Sequence, residues 1–561
     1  MSLKPPRSHA RTDVESGYLA REHRLRSFVL AAALAALFVA APAGAQTPER
    51  ASQLTPVSTD TLTRALRSGQ IDEARYALER ATSLFHLGVV RARYGEVERP
   101  DPRAATLVLR DLRLRLDELS PAEKTRARRL LARPTDGAAD PDGHGYSVAE
   151  APPVCLPDLF CIHYVATTVD APPPGDANPA DGIPDWVATA AAAVLQVWGK
   201  EIDALGYRPP LSDASSPNNG GDERLDVYLA NLGDEKLYGY CTSDDPSPSF
   251  DVSAYCVIDN DFLEAIFAAH TPTENTQVTV AHEFFHAVQF AYDIGEDAWM
   301  MESTAAWIED EVYDSINDNR QFLASSPLSH SFIPLDWGTD GFEYGSWIYF
   351  RRLSERFGVG IVRSIWDWAD ASSGGPDDFS LTAIAHALSS AGTSFRLAFN
   401  DFARANRRAR SAYQEGAAYP PRPPARKTWT LRGSARKRSG SFTLFQLAAE
   451  TIVFKPARGI GRRAKLELTL NLPSLSRGSE AAVLSFRPSG ALISSRRLVL
   501  NGSGDRRLKV AFGRGRVGRV ELVLMNASTR YSCWLGVPGA TCQGVPLDDL
   551  LTYRYSGRAI G

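Results

Sequence analysis

The pattern of apolar and polar residues divides the chain into segments of different character. Residues 46–135 place apolar and charged positions at helical spacing, most clearly at 107–131, which predicts a helical N-terminal region. A stretch rich in Gly, Pro and Asp at 134–153 marks the end of that region. The region is interpreted either as a pro-region or as an accessory helical domain, and the sequence favours neither.

Residues 150–413 mix strand and helix patterns. Short strands are predicted at 162–168, 225–229 and 254–258, with one amphipathic helix at 186–205. Further helices are predicted at 272–292, 299–313, 344–357 and 394–410. Strands first and helices later is the order of an α+β domain.

The pattern changes again beyond residue 413. Residues 414–427 contain a Pro-rich run, Tyr419 to Pro424, which predicts a stiff linker. Residues 428–561 hold short β-rich runs, separated by Gly, Ser and Asn, at 466–472, 482–486, 497–500, 508–512 and 519–525. These runs predict an all-β sandwich domain.

The N-terminal 45 residues have the order of a secretory signal peptide. Arginines up to Arg26 precede an apolar run at 28–41, and Ala43-Gly44-Ala45 offers a cleavage site before Gln46. The run is shorter than the ~20 apolar residues of a membrane span, so an uncleaved anchor is the less favoured interpretation. Residues 1–45 are predicted to be removed, leaving a secreted or periplasmic protein without a membrane segment.

The cysteines agree with export. Six cysteines form three close pairs, and an even number in an exported chain predicts disulfides. Fifteen connectivities are open to six cysteines. Local pairing is favoured because each pair flanks a turn-rich loop: Cys155 with Cys161, Cys241 with Cys256, and Cys533 with Cys542. The formal net charge of −4 over 561 residues lacks the basic excess of a nucleic-acid-binding protein.

The segment His282-Glu283-Phe284-Phe285-His286 has the pattern H-E-x-x-H. Residues i and i+4 of a helix share one face, so both imidazoles can reach one metal ion. Glu283 then lies where it can act as general base on a water activated by the metal. Thr271 to Glu274 supplies a capping box with proline at the first helical position, which places the motif near the middle of the helix. The motif predicts one catalytic zinc ion.

Catalytic zinc takes three protein ligands. Gly295 breaks the first helix, so a second helix can return beside it and bring Glu302 to the metal. Asp293 and Asp297 are rivals, and Glu302 is favoured as the third ligand. Glu309 and Asp310 lie two turns further, and we expect solvated charges there rather than partners of a ligand histidine.

His282, His286 and Glu302 together resemble the gluzincins, the thermolysin-type division of the zinc metallopeptidases. Residues 278–353 more closely resemble a group of secreted bacterial metalloproteases, through VTVAHEFFHAVQFAYD, WMMESTAAWIEDEVYD and YGSWIYFRRLSE. The resemblance implies a zincin-like fold, zinc bound by His282, His286 and Glu302, and Glu283 as base. Thermolysin has an aspartate four residues after its third ligand, whereas this chain has Ala306.

The resemblance predicts a secreted endopeptidase that acts on polypeptides. The alternatives are an inactive, protease-like binding protein and a zinc aminopeptidase; no oligomeric state is predicted. Tyr344 is a candidate donor to the developing oxyanion, with a packing role equally open. His330 and His386 are weaker candidates for that donor.

A second metal site is a weaker expectation. Asp176, Asn178 and Asp181 precede Gly182 at nearly alternating spacing, a pattern that calcium-binding loops share. The spacing has one residue too many for an EF-hand. A turn rich in Asp and Asn is therefore favoured over a Ca²⁺ site.

Overall fold

The computed structural model describes residues 60–139, 145–177, 179–535 and 540–561. The predicted signal peptide, residues 1–45, lies outside these ranges. The described residues form a mixed α and β structure, which confirms the predicted α+β class at that level. Within the described ranges, no helix combines the length and the apolar character that crossing a membrane requires.

The helices are α1 (Thr61–Arg67), α2 (Glu73–Phe85), α3 (Leu87–Tyr94), α4 (Ala105–Leu114), α5 (Pro121–Leu130), α6 (Asp185–Trp198), α7 (Pro272–Asp293), α8 (Ala298–Val312), α9 (Phe342–Gly345), α10 (Trp347–Phe357), α11 (Gly360–Trp368), α12 (Ser380–Ser390), α13 (Phe395–Asn406) and α14 (Ala409–Ala412). The strands are β1 (Val154–Leu156), β2 (Phe160–His163), β3 (Leu225–Ala230), β4 (Gly239–Thr242), β5 (Tyr255–Asp259), β6 (Lys427–Leu431), β7 (Lys437–Leu444), β8 (Ala448–Pro456), β9 (Lys465–Asn471), β10 (Ser479–Phe486), β11 (Leu492–Arg497), β12 (Asp505–Ala511), β13 (Arg519–Asn526), β14 (Tyr531–Ser532), β15 (Val545–Pro546) and β16 (Leu551–Ile560).

A five-stranded sheet in the order β1-β2-β3-β5-β4 forms the centre of the candidate catalytic region, residues 150–413. The three middle strands are parallel, and β4 is an antiparallel edge strand. Alternate residues of each strand face opposite sides. Cys256 and Ile258 of β5 pack with α6 and α7, whereas Tyr255 and Val257 pack against the N-terminal helices. Helices therefore cover both faces of this sheet.

The N-terminal helices begin at polar caps. Asp60, Asp72 and Ser120 accept hydrogen bonds from backbone N–H groups of the first turns of α1, α2 and α5. The end of this region is tied to the sheet by Arg133, which is fully buried. Arg133 forms ion pairs with three aspartates: Asp213, Asp226 and Asp244. The region is thus packed against the five-stranded sheet as a layer of its own.

Two predicted elements have other bounds in the structure. The strand predicted at 162–168 is β2, which ends at His163. Thr168 has a positive φ of 81°, which no strand accommodates. The helix predicted at 186–205 is α-helical only to Trp198 and continues as a π-helix at Gly199–Ala204.

The C-terminal region is built from strands, as predicted. Sheets β11-β10-β13-β8-β6 and β12-β9-β16-β7 enclose a shared apolar core. Strand β10 is buried on both faces: Ala481 and Val483 face that core, while Ala482 and Leu484 pack toward the candidate catalytic region. The strand predicted at 497–500 is wrong, because β11 ends at Arg497 and pairs with β10 only to that point.

The three predicted disulfides are present, joining Cys155 to Cys161, Cys241 to Cys256 and Cys533 to Cys542. The first two connect neighbouring strands of the five-stranded sheet, at the paired positions of β1 with β2 and of β4 with β5. Disulfides are typical of proteins that work in oxidising, extracytoplasmic compartments.

Candidate metal centre

Helix α7 holds both histidines of the H-E-x-x-H segment on one face. The predicted capping box is present, with Thr271 and Glu274 each accepting from the other's backbone N–H group. The imidazole centroids of His282 and His286 are 4.8 Å apart. Both rings lie near the middle of a 22-residue helix, where the backbone is most regular.

Helix α8 brings Glu302 to these rings. Its Oε2 lies 3.2 Å from Nε2 of His282 and 3.7 Å from Nε2 of His286, and the two nitrogens are 3.2 Å apart. Ligands at about 2.0–2.1 Å from a tetrahedral zinc ion stand roughly 3.3 Å from one another. The three atoms therefore match the spacing of a zinc ligand set. Oε1 of Glu302 is buried with no hydrogen-bond partner in the described part of the chain.

The outer nitrogens of both rings are engaged. Gln289 donates from Nε2 to the Met301 carbonyl at 2.9 Å and to Thr304 Oγ1 at 3.1 Å, which leaves its Oε1 as an acceptor. This oxygen is 2.7 Å from Nδ1 of His286. His286 therefore carries its proton on Nδ1 and presents a bare Nε2 lone pair inward.

Glu309 performs the same task for His282. Its Oε1 is 2.7 Å from Nδ1 of His282. The expectation that Glu309 and Asp310 are solvated is wrong: both are buried, and Asp310 pairs with Arg351. Helix α8 is covered nearly all round, so its charged residues need partners inside the protein. Thermolysin has its aspartate at the position of Ala306, and Glu309 lies three residues further along this chain.

The charges of this cluster depend on one another. Burial lowers the pKa of His282, but hydrogen bonds to Glu302 and Glu309 outweigh it and raise that pKa well above its ordinary value. Burial would raise the pKa of Glu302, yet the two histidines lower it to about 2. For Glu309 burial dominates and raises the pKa to about 7. A cation between Glu302 and the rings is thus favoured, whether a proton or a metal ion.

Glu283 lies beside the cluster without joining it. One of the groups of possible metal ligands among the described residues contains His282, His286 and Glu302, without Glu283. Glu283 Oε2 instead accepts a 2.7 Å hydrogen bond from the Thr106 hydroxyl, which comes from helix α4 of the N-terminal region. The structure thus separates the three candidate ligands from the candidate base.

Tyr344 lies next to the cluster. Its ring stacks between His282, at 6.1 Å between centroids, and Phe322, at 4.9 Å. The phenol oxygen is buried with no hydrogen-bond partner among the described residues. Burial raises the pKa of Tyr344 well above 10, so the phenol stays protonated and able to donate.

The weaker candidates lie elsewhere. His386 pairs with Asp378 on an exposed part of α12, and His330 packs against Phe332. Asp297, a rival third ligand, accepts from the Ser380 hydroxyl and from the Cys542 backbone N–H. The other rival, Asp293, accepts at Oδ1 from the backbone N–H of Gly295, just beyond the end of α7.

The loop considered for calcium has the hydrogen bonds of a turn. Asp176 accepts from the backbone N–H groups of Asp181 and Gly182, and Asp181 accepts from that of Ile183. Asn178 lies outside the described residues. These carboxylates do not belong to any metal-type cluster found in the described ranges.

A scan against models of known protein families found no match for this chain. A search of curated proteins also found no match. The functional inference therefore rests on the geometry of the cluster.

Proposed function

We propose that the protein is a secreted zinc-dependent endopeptidase with a zincin-like catalytic domain. The observation that carries the proposal is the convergence of three acceptor atoms, Nε2 of His282, Nε2 of His286 and Oε2 of Glu302. The partners of the outer ring nitrogens turn both lone pairs inward. Three converging acceptors repel one another unless a cation lies between them, and their spacing suits zinc.

Zinc bound to these residues would act as a Lewis acid on a peptide carbonyl and make water acidic near neutral pH. The protein's own groups divide the remaining work. Glu283 accepts the proton of the attacking water at its carboxylate and passes it to the leaving amine. Tyr344 donates its phenol hydrogen to the oxyanion that develops on the carbonyl.

The edge of the catalytic sheet supports a polypeptide substrate. Strand β4 ends the sheet beside α7, and the N–H of Cys241 points away from β5. An extended peptide can add to such an edge through backbone hydrogen bonds, which need no particular side chain. The disulfide between Cys241 and Cys256 holds this edge to its neighbouring strand.

One observation favours an aminopeptidase as a second candidate. Glu343, next to Tyr344, is partly buried, and its Oε2 has no hydrogen-bond partner in the described part of the chain. Burial, together with the charge of Glu302, raises the pKa of the Glu343 carboxyl to about 8. A substrate ammonium group placed there would restore the ionised form. Cleavage of peptides with blocked amino termini would decide for the endopeptidase.

The test combines metal content with hydrolysis. The purified mature chain should hold about one zinc ion at this site, measured by elemental analysis. His282→Ala should lose the metal, and Glu283→Gln should keep it while losing hydrolysis of casein and of blocked peptides. Full zinc retention in both His282→Ala and His286→Ala would refute the site assignment. Hydrolysis by Glu283→Gln at the wild-type rate would favour the binding-protein alternative.

A further inference from the structure

We propose that the N-terminal helical region is an internal inhibitor of the metal centre, with Thr106 held on the catalytic base. The inference rests on the proposed function, because it assigns regulation to the same site. It also distinguishes between the two roles that the sequence leaves open for residues 46–135.

The first observation is that the site is closed. His282 is 8% exposed and Glu283 4%, while Tyr344 is 1% exposed and His286 and Glu302 are fully buried. A polypeptide must place a carbonyl group among these residues to be cleaved. The structure therefore represents a state that excludes the substrate, and some part of the chain must move before catalysis.

The second observation is that the Thr106 hydroxyl bonds both Glu283 and Cys241. Its hydroxyl donates to Oε2 of Glu283 at 2.7 Å and accepts from the backbone N–H of Cys241 at 2.9 Å. The carboxylate is where the attacking water must donate its proton. The N–H of Cys241 faces the open edge of β4, where a substrate backbone would bind. One hydroxyl thus occupies a position needed by the water and a position needed by the substrate.

Three arginines hold this segment in place. The Arg103 guanidinium lies over the rings of Tyr238 and Phe322, at 4.9 and 5.0 Å from their centroids. Arg110 donates at 2.9 Å to the Glu296 carbonyl, just before α8. Arg113 donates at 2.9 Å to the Ser247 carbonyl. All three contacts cross from the N-terminal region to the catalytic region.

The two faces of helix α4 pack against different parts of the protein. Leu107 belongs to the core of the catalytic region, while Val108, Leu109 and Leu112 pack with the other N-terminal helices. Those helices also cover the sheet face of Tyr255 and Val257. Release of the site therefore requires displacement of the segment around Thr106, whereas loss of the whole region would expose the sheet.

The experiment uses the full mature chain with single substitutions. Thr106→Val keeps the side-chain volume and removes the hydroxyl. Arg103→Ala loosens the same segment without touching Glu283. Arg115→Ala is the matched control, because among the described residues the Arg115 side chain bonds only within the N-terminal region, to Glu73 and the Asp111 carbonyl.

Two rates report on the closed state: cleavage of a short blocked fluorogenic peptide, and removal of zinc by the chelator 1,10-phenanthroline. We expect Thr106→Val and Arg103→Ala each to raise both rates at least tenfold, which corresponds to ~1.4 kcal/mol. Arg115→Ala should leave both rates at the wild-type value. The rate of zinc removal reports how accessible the site is even when peptide hydrolysis is slow.

Other outcomes overturn the inference. Unchanged rates in both Thr106→Val and Arg103→Ala would show that the segment does not limit access. Slower cleavage by Thr106→Val, restored by Thr106→Ser, would make Thr106 a positioning residue for Glu283 instead of an inhibitor. A wild-type chain without zinc would refute the proposed function, whereas a zinc-bound chain that loses hydrolysis in Glu283→Gln keeps that function even if the inhibitor fails.

Discussion

Replacing Gln289 by methionine should weaken zinc binding while leaving the three candidate ligands in place. Gln289 is fully buried and holds the His286 ring through Nδ1. Methionine is close to glutamine in length, so the change removes an acceptor and two donated hydrogen bonds with little loss of volume. His286 would keep its position on α7 but lose the group that sets its tautomer and orientation.

The magnitude follows from the contacts that are lost. Removing a partner behind a metal-binding histidine typically lowers metal affinity by about 10- to 100-fold, or ~1.4 to 2.7 kcal/mol. Nδ1 of His286 would also be left buried without its acceptor, at about 1–3 kcal/mol. The Met301 carbonyl keeps a contact with the Thr304 hydroxyl, at 3.3 Å. Thr304 stays bonded, because its hydroxyl also donates to the Met300 carbonyl at 2.8 Å.

Competition with a chromophoric chelator measures the zinc affinity directly. Thermal unfolding with and without excess zinc gives a second value, since a ligand that binds the folded state stabilises it. Gln446→Met is the matched control: Gln446 is equally buried and bridges the Arg530 carbonyl and the Asp548 N–H in the C-terminal region. It should lose stability and keep zinc affinity. Wild-type affinity in Gln289→Met would refute the tautomer argument on which the ligand assignment depends.

The remaining predictions concern the site itself. Glu302→Gln should lose zinc affinity. Asp297→Asn should retain it, because Asp297 is bonded to the Ser380 hydroxyl and not to the cluster. The reverse result in elemental analysis would exchange the roles of the two residues. Glu283→Gln should keep zinc and lose at least ~100-fold in peptide cleavage, and Tyr344→Phe should lose less. The raised pKa of His282 means that the imidazole holds a proton which zinc must displace. Zinc affinity should therefore fall as the pH falls, by up to about tenfold per pH unit. Equal zinc affinities at about pH 6 and about pH 8 would contradict this reasoning.

The candidate ligands could be predicted from the sequence because their placement depends on local structure. The capping box at Thr271 and the spacing of His282 and His286 depend only on neighbouring residues, because helix geometry fixes which side chains share a face. Glu302 was accessible through the helix break at Gly295, which returns the chain beside α7. The helices α7 and α8 accordingly begin and end within one residue of the predicted positions.

The hydrogen-bond partners of these residues could not be predicted from the sequence. Gln289 and Glu309 are ordinary polar residues on helices, and their roles arise only when α7 and α8 are packed together. Thr106 reaches Glu283 across 177 residues of sequence. Arg133 lies 93 residues from Asp226 and 111 residues from Asp244 in the chain. A hydrogen bond between remote segments leaves no periodic pattern, so composition and spacing could not indicate it.

Cys241 contacts both helix α7 and the N-terminal segment around Thr106. Its disulfide to Cys256 ties the edge strand to β5, and its Sγ lies 2.9 Å from the Glu283 carbonyl on α7. The same residue offers its N–H to Thr106, through one hydrogen bond that water or a substrate backbone could replace. The candidate ligands and base on α7 and α8 therefore lie beside an edge strand that a disulfide ties to β5. The segment around Thr106 is held to Glu283 by one side-chain hydroxyl and to its surroundings by a few arginine contacts. A change that displaces this segment therefore need not disturb the positions of the three candidate ligands.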